Sequence, residues 1–457
     1  MPKKKITNYT KLSMMKIGFV FKDNGDIKEF NGNVYANVVD NDYDLMYSKD
    51  QCWYYYNDGV YTQTSDMDLK NTLVNDFNER AQNTWKPSYE HLYWESLKHK
   101  VFYAGELNEN KNFINFRNGM LDLETRDLIE HAREYYSTVQ LPFEYDPDAQ
   151  CPIWESFLES SFEGDKERIN LSQECLGYLV SSETRAQKAL VLYGSGGNGK
   201  GVFSSVIEAL VGRTNISYAG LADLSNQFVR ATLVDKQLIM SSENEISHLN
   251  TQYFKQIVGG DTCIMASHKN KKPFEFFPKC KIVMSTNNLP DTKDRSEGYY
   301  RRLQFLHFSK FFNDDERDVH LTEKLKEELP GIFNWALIGL DRLKSNDFKF
   351  SPCKSSDILL QEYRVEQNPF LEFINECLIL DDPREKEENR VVYNSFKLWC
   401  SENGHRGFSN MSSKKFWREL DNAMILLGYP PTVRKNSGNH RFCHGVSVKR
   451  DYRYTEF

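Results

Sequence analysis

Eight consecutive residues, GSGGNGKG at positions 194–201, are the first place in the chain where residue types and spacing could do chemistry. Gly194, Gly196, Gly197 and Gly199 permit tight backbone turns, so the N–H groups of the loop, those of Ser195 and Asn198 included, can converge on phosphate oxygens. Lys200 can reach the outer phosphates of a nucleoside triphosphate, and the helix predicted over Lys200 to Leu210 points its positive end at them. The next position is Gly201, where a serine or threonine hydroxyl would ordinarily hold a magnesium ion. Ser204, Ser205 or a water would then have to supply that ligand.

Three more groups follow in an order that suits the same reaction. The apolar run in KQLIMSSENE leads into Glu243, Asn244 and Glu245. A carboxylate at the end of a strand beside a phosphate loop can support magnesium through water and orient or deprotonate the attacking water. Glu243, first off the strand, is the preferred base and Glu245 the second candidate. A further run, KCKIVMST, delivers Asn287 to the same sheet edge, where an uncharged amide can sense the terminal phosphate. DRSEGYYRR then supplies Arg301 and Arg302, either of which could neutralise transition-state charge in a neighbouring subunit's site. Between Glu245 and Asn287, SHKNKKPFEF places Lys269, Lys271 and Lys272 within four positions. Taken alone this is a solvated hairpin; lining a channel, it would meet nucleic-acid phosphate.

Positioning these groups requires strands that end at one edge of a sheet. Apolar strand candidates at Ala189–Tyr193, Gln237–Met240 and Lys281–Ser285, separated by helical segments, have the rhythm of a parallel sheet covered on both faces. The predicted class is therefore α/β, with a core over 171–350, a mixed accessory and helical collar region over 1–170, and a third domain over 365–457. In the accessory region, Asn57-Asp58-Gly59 signals a hairpin, and Ser65 with Asp68 predicts a capped helix burying Leu69, Leu73 and Phe77. In the third domain, Asn368-Pro369 marks a helix start. Two later helices with apolar faces (Val392, Phe396, Trp399, Cys400; then Phe416, Leu420, Met424) precede a hairpin-like end, a pattern predicting a small winged-helix-like domain. Arg434, Lys435, Lys449 and Arg450 make a second basic cluster there, with Arg441, Arg453, Lys414, Lys415 and Arg418 nearby.

Composition sets outer bounds. With 457 residues, 40% hydrophobic and 27% charged, the chain can bury a large core. No apolar run suits a membrane span, and nine scattered cysteines suit free thiols in a reducing compartment, so a cytoplasmic location in a host cell and no membrane partner are expected. His440, Cys443 and His444 fit no standard zinc spacing, and no structural metal is expected. A formal charge of −7 argues against an extended nucleic-acid coat but not against a local basic channel.

The ordered set GSGGNGKG, SSENE, GGDTCIMASHKNKKPFEF and MSTNNLPDTKDRSEGYYRR resembles the phage/plasmid primase-helicase group of superfamily 3 helicases, related to poxviral replication NTPases. The resemblance implies a P-loop, AAA+-like core assembling as a homo-oligomeric ring, usually a hexamer, that hydrolyses ATP with Mg2+ and translocates single-stranded or forked DNA in phage or mobile-element replication. It implies Lys200 as the Walker A lysine, Glu243 as the Walker B glutamate, Asn287 as the sensor, Arg301 or Arg302 as the finger, and Lys269, Lys271 and Lys272 on the pore hairpin. A separate primase, initiator or polymerase is among the partners it implies, and the lack of the cysteine set that accompanies many primase modules argues against primer synthesis by this chain. The rival reading is an ATP-dependent origin-binding initiator or helicase loader that does not unwind.

Overall fold

The computed structural model describes residues 11–82, 84–241, 251–290, 292, 294–380, 384–438 and 440–454. They pack as two units, one of residues 1–290 with 301–356 and one of residues 291–300 with 357–457.

The larger unit is organised by five parallel strands, here β1 (Ala189–Tyr193), β2 (Ile216–Ser217), β3 (Leu238–Ser241), β4 (Lys281–Thr286) and β5 (Leu303–His307), in the spatial order β2-β3-β4-β1-β5. Strands buried on both faces need unbroken apolar runs rather than alternation. Accordingly Ala189, Leu190, Val191 and Leu192 are all buried, as are Ile282, Val283 and Met284. Helix α1 (Lys200–Val211) follows β1 and turns Phe203, Val206, Ile207 and Leu210, spaced by three and four, into the core. It stops at Gly212, whose φ of 89° few other residues would tolerate.

That core also takes in Trp154, Phe157 and Leu158, from a helix at Pro152–Ser161 that the sequence pattern assigned to the accessory region, and Leu171 and Leu176, from a helix at Lys166–Val180 that runs across the expected boundary at 170. Helix Lys166–Val180 crosses helix Leu329–Ser345 with glycines at the contact. A Cβ at Gly339 would lie 2.2 Å from the Gln173 carbonyl oxygen, and one at Gly177 would lie 2.4 Å from that of Ala336. A separate aromatic core over 17–101 includes Tyr35, Trp53, Phe77 and Tyr93. Within it Ser65 caps helix Asp66–Arg80 by accepting from the Asp68 N–H, and Leu69, Leu73 and Phe77 are fully buried. Strands Trp53–Asn57 and Val60–Thr64 form the expected hairpin around Asp58-Gly59. Tyr54 is buried in that sheet.

The smaller unit packs helices Pro369–Cys377, Asn389–Glu402 and Ser413–Leu426 around Phe370, Phe396, Trp399, Phe416 and Leu420. Asn368 caps the first of them by accepting from the Phe370 N–H. A three-stranded antiparallel sheet, in the order 386–388, 440–444, 433–437, closes the unit. Among the described residues of both units, no helix is long and apolar enough to cross a membrane.

Candidate functional site: a glycine-loop cleft

Parallel register decides which groups can meet. Tyr193 at the end of β1 pairs with Thr286 at the end of β4, so the loop after β1 and Asn287 leave the sheet side by side. The loop is built as a cradle: Gly196, Gly197 and Gly199 have φ values of 99°, 61° and 90°. Asn198, almost fully buried, fixes it from below by donating from Nδ2 to the Phe308 carbonyl at 2.9 Å. Lys200 is only 7% exposed. Its ammonium donates to the Gly194 carbonyl and, at 2.5 Å, to Asn287 Oδ1. Two residues 87 positions apart in sequence are thus joined directly at the carboxyl edge of the sheet.

The loop opens into a cleft of about 900 Å3. Gly196 to Gly201, Ser285 and Asn287 line one side; Ile153, Phe157, Val202, Val319 and Leu321 give it apolar wall. A cleft of this size, with a few convergent polar groups on mostly apolar walls, suits a nucleotide. Gly201 lies in ordinary helical backbone, and a Cβ there would meet nothing within 4 Å. Neither Ser204 nor Ser205 lines the cleft. The Ser204 hydroxyl is instead buried, with no hydrogen-bond partner among the described residues. Glu243 and Glu245 lie outside the described residues, directly beyond the end of β3.

Arg301 and Arg302 are placed elsewhere. They precede β5, whose first residue Leu303 pairs with Ala189 at the start of β1. At ~3.3 Å per residue the length of the sheet, roughly 20 Å, separates them from their own chain's glycine loop. Arg301 is exposed; Arg302 is half-buried, and burial, with the charge of Arg301 second, holds its guanidinium below the usual arginine range.

The lysine-bearing segment forms an antiparallel hairpin, Ile264–Ala266 with Phe274–Phe276. Lys269 and Lys272 are exposed at its tip. Lys271 is engaged: its ammonium donates to the Gln51 carbonyl at 2.8 Å and to Asp66 Oδ1 at 2.9 Å. Gln51 Nε2 returns a bond of 2.9 Å to the Lys272 carbonyl, and Cys52 Sγ lies 3.2 Å from His268 Nε2. Burial, and then the charge of Lys271, lower the His268 pKa.

In the smaller unit the basic residues also divide. Arg434 pairs with Asp421 at 2.9 Å and lies over the Trp417 ring, while Lys449 donates to the Asn375 and Glu376 carbonyls. Lys435 and Arg450 are exposed. Arg390, Lys414, Arg418 and Arg441 line an 800 Å3 concavity with Trp417 and Arg434. Only the fold brings Arg390 there. Among the described residues no group of three histidines, cysteines or acids could hold a metal ion.

A glycine loop between a central parallel strand and a helix, with a lysine under it and an asparagine from the adjacent strand, is consistent with a P-loop, AAA+-like core. Three family profiles cover successive stretches of the chain: "D5 N terminal like" over 39–163, a family of unknown function, DUF5906, over 192–302, and "Poxvirus D5 protein-like" over 366–436. "Putative helicase 184R" of Invertebrate iridescent virus 6 is 21% identical over 77% of this chain and 41% of its own length. A protein with the same helicase description from Acanthamoeba polyphaga mimivirus is 26% identical over 65% of this chain and 34% of its own. The chain therefore spans about two-fifths or less of the length of these relatives. An apo structure of the NrS-1 C-terminal region has the same fold at 13% identity and a TM-score of 0.50, covering 92% of this chain and 100% of that one. These profiles and relatives make the chain similar to viral helicases related to poxvirus D5.

Proposed function

We propose that this chain is a ring-forming motor that hydrolyses ATP to move single-stranded DNA during replication of a virus, phage or mobile element. The observation that carries the reading is the direct Lys200–Asn287 contact at the loop edge of the sheet, with Arg301 and Arg302 at the opposite edge. Lys200 and the loop amides hold the phosphates. Asn287 releases its bond to Lys200 and orients the attacking water with Glu243, the proposed base, while Glu245 stands as second candidate. An arginine that cannot reach its own loop can reach that of a neighbour stacked in a ring, so Arg301 or Arg302 completes the adjoining site. Magnesium, when bound, neutralises charge shared between the outer phosphates. Gly201 offers it no side-chain oxygen, and Ser285 is the hydroxyl on the cleft wall nearest in sequence to Asn287.

Lys269 and Lys272 present charge to DNA phosphate at the hairpin tip; Lys271 joins them once its bond to Asp66 is exchanged. The smaller unit has the helix order and strand order of a winged helix, with Ser413–Leu426 in the position of the helix that enters a groove. Its basic concavity favours the second reading, an origin-binding initiator or loader that remodels DNA without unwinding it. Hydrolysis and forked-DNA unwinding by wild type and Lys200→Ala, recorded with assembly mass, separate the readings. The motor reading expects an assembled wild type that does both and a variant that does neither. Hydrolysis with duplex binding but no strand displacement would reject it for the loader.

A further inference from the structure

The 800 Å3 concavity of the smaller unit is walled by helices Asn389–Glu402 and Ser413–Leu426 and by the hairpin over 433–444. Five of its lining side chains are lysine or arginine and two are acids, Glu388 and Asp421. Both acids are already engaged: Glu388 faces His440 Nδ1 at 3.0 Å, and Asp421 accepts from the Thr432 N–H and from Arg434, each at 2.9 Å. Arg418 is held by Glu419 at 2.9 Å. Lys414 on the helix and Arg441 on the hairpin differ. Both are exposed, and neither has a side-chain partner among the described residues. Lys415 and Lys435, also exposed, continue the positive charge outside the concavity. Its aromatic groups are covered. Trp417 is 7% exposed, its ring centre 5.1 Å from the Arg434 guanidinium carbon, and the half-buried Tyr393 donates its hydroxyl to the Met411 carbonyl.

We infer that this concavity grips the backbone of duplex DNA, with Lys414 and Arg441 as its phosphate contacts, and does so without reading sequence. The inference rests on the winged-helix reading of the smaller unit and holds for motor and loader alike. Three acceptors would answer unpaired cations, and the walls choose among them. A protein partner needs an accessible aromatic or aliphatic anchor at the centre, and a single strand needs exposed rings on which its bases stack. Neither is on offer, because Trp417 is covered and Tyr393 is half-buried. Duplex DNA needs neither: its bases stack on one another, and it presents phosphates to a polar, positively charged surface. Base readout in turn depends on guanidinium groups free to bond guanine through two N–H groups. Arg418 and Arg434 are held by Glu419 and Asp421, which leaves one lysine and one arginine to make contacts that position the duplex without specifying it.

The test is fluorescence anisotropy of the full chain with two short duplexes of unrelated sequence and with a single strand, at several salt concentrations. It compares wild type, Lys414→Ala, Lys414→Glu and Arg441→Ala, with melting temperatures beside it. Each alanine variant should weaken both duplexes alike, by roughly three- to tenfold at ~0.1 M salt, and lower the slope of log affinity against log salt by about one. Lys414→Glu should lose more. Single-strand affinity should fall less than duplex affinity, and melting should match wild type throughout, since neither side chain holds another in the fold. Wild-type duplex affinity in all three variants overturns this inference alone and leaves the concavity to an acidic protein. A loss confined to one sequence overturns the backbone grip in favour of base readout; an equal loss on the single strand overturns the choice of duplex. Losses accompanied by lower melting mark residues that only shape the unit, and overturn it as well. If wild type binds no duplex at all, the winged-helix reading itself fails and this inference falls with it.

Discussion

Gly201→Ser restores the hydroxyl that the loop lacks, and the structure sets its size of effect. The position is the second residue of helix α1, its φ is not in the left-handed region, and an added Cβ meets no atom within 4 Å. Steric cost is therefore absent. Serine's helix propensity exceeds glycine's by about 0.5 kcal/mol, so stability should hold or rise slightly. For magnesium, a tethered hydroxyl takes the place of a water whose immobilisation costs ~0–2 kcal/mol. A gain of about 1 kcal/mol corresponds to a roughly fivefold fall in the magnesium concentration giving half-maximal hydrolysis. The assay is steady-state hydrolysis at saturating ATP across a magnesium titration, beside thermal melting. Gly201→Ala carries the same backbone gain without the oxygen and should leave the magnesium midpoint where wild type has it. If Gly201→Ser melts like wild type and its midpoint does not move, the metal is not held at that corner of the cleft and the reasoning is refuted.

Other expectations follow from the same geometry. Lys269→Ala and Lys272→Ala should each reduce DNA-stimulated hydrolysis without changing melting, whereas Lys271→Ala should also lower stability by ~0.5–1 kcal/mol, because it ends the bonds to Asp66 and Gln51; urea unfolding separates the two effects. Gly339→Ala drives a methyl to 2.2 Å from the Gln173 carbonyl oxygen and should destabilise by ~1–3 kcal/mol or more, read as a lower urea midpoint. Burial pushes the Asp235 carboxyl, which accepts from the Tyr54 hydroxyl, up from 3.8 to about 6. The folded chain then holds this proton more tightly than the unfolded one, so its contribution is full below about pH 4 and is lost as pH rises through about 6. The loss amounts to at most ~3 kcal/mol. Asp235→Asn should flatten that slope in unfolding measured between pH 4 and 7; an unchanged slope would assign the dependence to other groups.

Legibility in the sequence followed the range of the interaction. The glycine loop, the apolar strand runs and the Ser65 and Asn368 caps are local signals, and each appears where its pattern placed it. Asn287 could be placed beside the loop because a strand's carboxyl end fixes where its next residue goes. The limit of the core could not: amphipathic helices at 152–161 and 166–180 show an apolar face without showing which core it joins. Ser204 and Ser205 are close to the loop in sequence, but the helix carries them past its mouth. The segment after β5 is an irregular charged stretch, and bonds from Phe312 to Gly197 and from Asn198 to Phe308, which no pattern announces, tie it to the loop. The pairing of Lys271 with Asp66 joins residues 205 positions apart, and no periodicity could announce it.

That last pairing has a mechanical corollary. Gln51, Cys52 and Asp66 grip the hairpin tip from one small lobe, and the adjoining residue Trp53 is wholly enclosed against Trp94. A tip that travels must either tow this lobe along or slip its hold. On the proposed motor reading, that lobe is a built-in strain gauge, fastened to the lever which the reading sets in motion.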